Sequence, residues 1–228
     1  MENSTKPWYK RRRGVILIIF LGIILFFLAI GAVKNITKSN LPAQTDQALG
    51  GQKYDAAAGD HYWLGSANAK IAVVEFGDFA CPVCEKAFPT ARELSLKYKK
   101  DIKFIWRDYP VVSGYSLNLA LAGRCAGEQG LFWPMHDKLF QNQGAGQTDD
   151  QTAQTDQLTA LANQIGANAT KFKDCFNKQK YQTQIKKDLS DGQTFGVAGT
   201  PTYFVSGYKI AGDVPMNIFD KMIEQLKK

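Results

Sequence analysis

The stretch Phe76-Gly77-Asp78-Phe79-Ala80-Cys81-Pro82-Val83-Cys84 sets two cysteines around a Pro-Val pair where a strand hands over to a helix. Upstream, Ile71-Ala72-Val73-Val74-Glu75-Phe76 is a short, nearly continuous apolar run, the pattern of a strand buried on both faces. Downstream, Ala87, Phe88, Ala91, Leu94 and Tyr98 recur at helical spacing. That spacing predicts a helix from 82 to about 100, with Cys81 near its N-cap and Pro82 near its first position, where a missing N–H costs nothing. Pro89 falls inside the helix and is expected to kink it.

Two cysteines one helical turn apart suit a disulfide that is made and broken repeatedly, with the first sulfur at the exposed helix end. Free backbone N–H groups and the helix dipole favour the Cys81 thiolate, since such sites lower a thiol pKa from about 8.5 to about 3.5–7.5. Cys81 is the expected nucleophile and Cys84 the shielded resolving thiol. Pro82 and Val83 bring neither charge nor side-chain donor, so thiolate stabilisation is expected from backbone and dipole alone. A less extreme oxidant follows than a histidine at position 83 would give. Half a zinc site and a static disulfide are the alternative readings of the pair. With no second Cys-x-x-Cys and only His61 and His136 as histidines, no metal site and no cofactor are expected.

The chain has 228 residues and a formal net charge of +7. Residues 1–40 hold seven of the 28 basic residues and one of the 21 acidic ones, so the remainder carries 21 basic against 20 acidic residues. That near-neutral balance argues against a nucleic-acid surface. Residues 14–33 are 20 positions without a charge, enough to cross about 30 Å of hydrocarbon as a helix. Five basic residues precede the segment and two follow, which predicts a cytoplasmic tail over 1–13 and an extracytoplasmic C-terminal domain. Ala29-Ile30-Gly31 offers small residues for cleavage, but the segment exceeds the usual ~7–15 apolar residues of a cleaved signal. An uncleaved, single-pass signal anchor is expected, and either outcome delivers the domain to an oxidising compartment.

Residues 34–60 are polar and aperiodic and are expected to form a flexible linker. The folded domain is expected over 61–228, opening with a short edge strand at His61-Tyr62-Trp63-Leu64. A strand over 102–107 after the helix makes a parallel crossover. From about 116 to 195 the periodicity is helical only, with residues 144–154 as the loosest loop. A hairpin follows, Thr202-Tyr203-Phe204-Val205 and Tyr208-Lys209-Ile210 around Ser206-Gly207, then a helix over 214–226. Cys125 and Cys175 each lie on an apolar helix face of the insertion. Outside the membrane an even cysteine count favours a structural Cys125–Cys175 disulfide, with two buried free thiols or a second redox relay as the alternatives.

Taken in order, the strand with its acid, the Cys-x-x-Cys, the helical insertion, the Gly199-Thr200-Pro201-Thr202 turn and the terminal hairpin and helix resemble the DsbA-like branch of the thioredoxin superfamily. Leu64-Gly65-Ser66-Ala67-Asn68-Ala69-Lys70 and Arg124-Cys125-Ala126-Gly127-Glu128-Gln129-Gly130-Leu131-Phe132-Trp133 look like its membrane-tethered and Gram-positive-type members. The resemblance implies an α/β thioredoxin fold carrying an all-helical insertion, here preceded by a transmembrane helix. It further implies that Thr200-Pro201 is a cis bond facing the dithiol, with the Thr200 backbone free to pair with an extended substrate. Glu75 matches the family's buried acid, which shuttles a proton to or from Cys84; the alternative is an acid that reaches solvent. Asp78 is a turn residue, and His136 belongs to the packing of the insertion.

The function expected is an extracytoplasmic thiol:disulfide oxidoreductase that introduces disulfides into reduced client proteins. The family implies reoxidation by a quinone-coupled membrane oxidase of the DsbB or vitamin K epoxide reductase type. The Pro-Val dipeptide departs from the Pro-His of the strongest oxidants, which leaves a reductase or isomerase open. A non-catalytic peptide-binding or chaperone module is the reading from another class.

Overall fold

The computed structural model describes Ile23, residues 51–59 and residues 61–228. Apart from Ile23, the expected tail and membrane span over 1–33 lie outside those residues. Among the described residues no helix is long and apolar enough to cross a membrane.

In chain order the elements are β1 (Trp63–Gly65), β2 (Ile71–Gly77), α1 (Pro82–Lys97), β3 (Ile102–Asp108), α2 (Ser116–Gly127), α3 (Phe132–Gln141), α4 (Gln151–Gln164), α5 (Ala169–Asn177), α6 (Gln182–Thr194), β4 (Thr202–Val205), β5 (Tyr208–Ala211) and α7 (Met216–Leu226). The sheet order is β1-β3-β2-β4-β5. β2 and β3 run parallel across the α1 crossover, and the other pairs are antiparallel. Both central strands are buried along their length except at the facing pair Ala72 and Lys103, which explains the nearly continuous apolar run of β2.

Several boundaries differ from the sequence-based expectation. The last helix starts at Met216 because Pro215 is its N-cap, with the extended backbone (φ −64°, ψ 146°) that holds Val214 outside it. The loop over 144–154 is laced rather than loose. Gly146 N–H donates to Gln157 Oε1 at 2.8 Å, Gly146 O accepts from Gln154 Nε2 at 2.6 Å, and Asp150 caps α4 through Thr152 N and Ala153 N. The linker expected to last until residue 60 is docked before that point. Tyr54 N–H donates to Gly207 O at 3.0 Å, its ring packs on Phe195 and Phe204, and Ala56 is buried with its carbonyl accepting from Arg107 Nη1 at 3.3 Å. A single tyrosine and a single alanine make these contacts, too few to leave a periodic signal.

The insertion is fixed to the sheet by buried charge. Arg107 on β3 and Arg124 on α2 both pair with Asp188 on α6; Arg124 also reaches Asp108, and Arg107 also reaches Asp191. Cys125 and Cys175 are joined as a disulfide between α2 and α5, with Cα atoms 5.7 Å apart. Removing one partner from a buried ion network leaves uncompensated charge and costs about 3–5 kcal/mol. Asp188→Ala is expected to lower stability by that amount in urea unfolding of the full-length chain in detergent, with the Cys125–Cys175 disulfide kept oxidised.

Candidate active site

The turn that presents the dithiol is built by Asp78. Its Oδ1 accepts from Ala80 N at 2.8 Å, and its Oδ2 accepts from Val111 N and Val112 N, each at 2.8 Å. One carboxylate thus closes the turn and ties it to the loop after β3. Gly77 precedes it because a Cβ there would lie 2.2 Å from the Trp106 ring. Cys81 is the N-cap of α1, as its position before Pro82 predicts. Its Sγ accepts from Cys84 N at 3.4 Å and lies 3.3 Å from Thr200 O, to which it donates when protonated. The Thr200–Pro201 bond is cis, as the resemblance implies, and brings that carbonyl to the sulfur.

Both cysteines of the pair are free thiols and buried. The exposed helix end expected for Cys81 is therefore not what the structure has: the residue is 4% exposed, and Val83 beside it is 43% exposed. The Thr200 carbonyl seats the sulfur and leaves the dipeptide on the surface.

Cys81 is pulled down to about 5. The largest cause is the Cys84 thiol donating to it, followed by opposing desolvation, then the Thr200 side chain and the backbone N–H groups of Cys84 and Val83. Backbone and dipole alone, the source expected from the sequence, are thus not the main one; the partner thiol is. Cys84 moves the opposite way, held far above the ordinary thiol range by burial, by its hydrogen bond to Cys81 and by the charge of Glu75. Glu75 is 2% exposed and does not reach solvent. Burial pushes its carboxyl up to about 8, a hydrogen bond from Tyr203 works against that, and the Cys81 charge adds to it.

Tyr203 escaped the sequence analysis. It stands directly opposite Glu75 in the antiparallel β2–β4 register, and burial with the nearby Glu75 charge keeps its hydroxyl protonated. Pairing the hairpin strand back to front against residues 73–76 would have found it. His136 packs on Phe140 of the insertion, with ring centroids 5.1 Å apart, and also reaches beyond it to Trp106 at 4.8 Å and Phe79 at 5.6 Å, with burial holding the imidazole neutral. An ionised outer sulfur, a protonated inner one and a protonated buried acid form a set suited to thiol–disulfide exchange.

The thioredoxin family pattern matches residues 57–225. Among solved structures, BdbD from Bacillus subtilis in its oxidised form is 27% identical, with a TM-score of 0.65 over 78% of this chain and 97% of that one. The thiol-disulfide exchange protein alpha-DsbA2 from Wolbachia pipientis shares the fold at 23% identity, with a TM-score of 0.64 over 86% of this chain and 98% of that one. Among curated relatives, the Na(+)/H(+) antiporter NhaA 1 of Salinispora arenicola is 34% identical over 150 residues. The alignment covers 65% of this chain and 22% of the antiporter, so the chain spans about a fifth of that relative's length.

A hydrogen bond to a charged group contributes about 1.5–3 kcal/mol, and one pKa unit is about 1.36 kcal/mol. Cys84→Ala is therefore expected to raise the midpoint of the Cys81 thiolate ultraviolet absorbance by about 1–2 pH units.

Proposed function

The chain belongs to the thioredoxin family, in the DsbA-like form of the fold, and on that premise we propose that it is a thiol:disulfide oxidoreductase that donates the Cys81–Cys84 disulfide to reduced client proteins. The observation that carries this reading is the opposed shift of the two sulfurs, Cys81 down to about 5 and Cys84 up. A stabilised Cys81 thiolate favours the reduced form, which makes the disulfide form the stronger oxidant.

In the reaction a client thiolate attacks Cys81 Sγ. The electron pair of the breaking S–S bond goes to Cys84 Sγ, which takes a proton from Glu75, since burial disfavours a bare thiolate there. A second client thiolate then attacks the client sulfur of the mixed disulfide. Cys81 leaves as the stable thiolate, the client keeps its disulfide, and two electrons remain on the dithiol. Thr200 and Pro201 line the path of the client, whose extended segment pairs with the Thr200 backbone.

The reaction is assigned to the extracytoplasmic side, with residues 14–33 as the membrane anchor. The charge bias around that segment and the second disulfide support this placement. A quinone-coupled membrane oxidase restores the disulfide.

Equilibration of the full-length chain in detergent with glutathione buffers, with thiols trapped by a mass tag, is expected to give a potential more oxidising than about −180 mV. A value near about −270 mV, the region of thioredoxin, assigns a reductase instead. Glu75 supplies a second test. Its carboxyl binds a proton up to about pH 8 in the native state and only to about 4.5 when unfolded, so its contribution is complete below pH 4.5 and is lost as pH rises to 8. In the oxidised protein Cys81 carries no charge and adds nothing to the shift, but burial still raises the carboxyl, and stability is expected to fall by about 2–4 kcal/mol as pH rises above 4.5. Glu75→Gln removes the slope and slows release of Cys84 in stopped-flow client oxidation.

A further inference from the structure

The loop between α3 and α4 sends one side chain to the turn that holds the dithiol. Gln143 Nε2 donates to Phe79 O at 3.1 Å and to Cys81 O at 3.0 Å. Cys81 O already accepts the first bond of α1, from Glu85 N at 3.0 Å. Gln143 is thus a second donor on a carbonyl whose negative end belongs to the same residue as the reactive sulfur. The far side of the loop is anchored in the insertion: Gly146 is held by Gln154 and Gln157, Gln154 Oε1 accepts from Asn118 Nδ2 at 2.6 Å, and Tyr115 OH donates to Asp149 Oδ1 at 2.8 Å. Asp78 braces the turn from the opposite flank.

We infer that Gln143 is a positioning residue for Cys81, and that residues 143–150 form a strut through which the helical insertion sets the reactivity of the dithiol. The inference rests on Cys81 being the nucleophile. Without the amide, the Phe79 carbonyl loses this donor, the Cys81 carbonyl keeps only Glu85 N, and the turn loses this tie to the insertion. These changes disfavour a charged sulfur at the helix end.

The test is a thiolate titration of the full-length chain in detergent, read by ultraviolet absorbance beside thermal unfolding. Gln143→Met keeps the length of the side chain and removes its donors; it is expected to raise the Cys81 midpoint by about 0.5–1 pH unit. Gln143→Asn keeps the amide but shortens its reach, and gives a smaller rise in the same direction. Asn142→Ala serves as control: it deletes the Nδ2 bond to Lys138 O at 2.9 Å in the same loop, contacts that do not include the turn, and leaves the midpoint in place even where it lowers Tm. Wild-type midpoints for both Gln143 variants, or an equal rise in Asn142→Ala, would overturn the strut. A wild-type protein that titrates near the ordinary thiol value would overturn the nucleophile assignment and the strut with it.

Discussion

A sulfur stands where a helix ordinarily places a capping oxygen, and the rest of the site follows from what that sulfur needs. A thiolate in a buried seat persists only if donors replace the water it has lost. Here the donors are the N–H and thiol of Cys84 and the N–H of Val83, all on the first turn of α1. Every one of them depends on the turn at Asp78, and that turn depends on β2 ending in a glycine beneath Trp106. The contacts exist in full only when Cys81 is reduced. Redox chemistry is therefore biased by local geometry without any cationic side chain in the dipeptide.

The helical insertion shares this geometry. Phe79, inside the active-site turn, stacks on Trp106 at 4.8 Å and meets Phe140 of α3 at 5.1 Å, so one aromatic cluster spans strand, turn and insertion. A charged network joins β3 to α2 and α6 and meets the cluster where Trp106 Nε1 donates to Asp108 Oδ1 at 2.8 Å. Buried ion pairs are weak sources of net stability, but they penalise any other docking of the helices that carry them. Aromatic packing supplies the cohesion, and the charges supply the register.

Much of this was legible in the sequence. The unbroken apolar run before Cys81 identified a strand covered on both faces, and the Pro at position 82 located the helix start to the residue. Glu75 shares a strand face with Ile71 and Val73, and all three are buried. What stayed hidden depends on contacts between segments distant in the chain. Tyr203 and Gln143 act through partners more than 60 positions away, and nothing local distinguishes them from other tyrosines and glutamines. α6 has no broad apolar stripe, since its buried positions include Asp188 and Gly192 beside Ile185. Its place is set by ion pairs that periodicity does not register.

The early docking of residues 53–57 has a consequence for how the molecule behaves among its neighbours. β5 is an outer strand, and an open strand edge is a template on which another chain can add. Lys53 bridges to Tyr208 on that edge, and Tyr54 closes over the hairpin turn at Gly207. β1, on the opposite side of the sheet, is only three residues long. Among the described residues the sheet margins are thus short or occupied, which limits fortuitous strand pairing with any neighbouring chain.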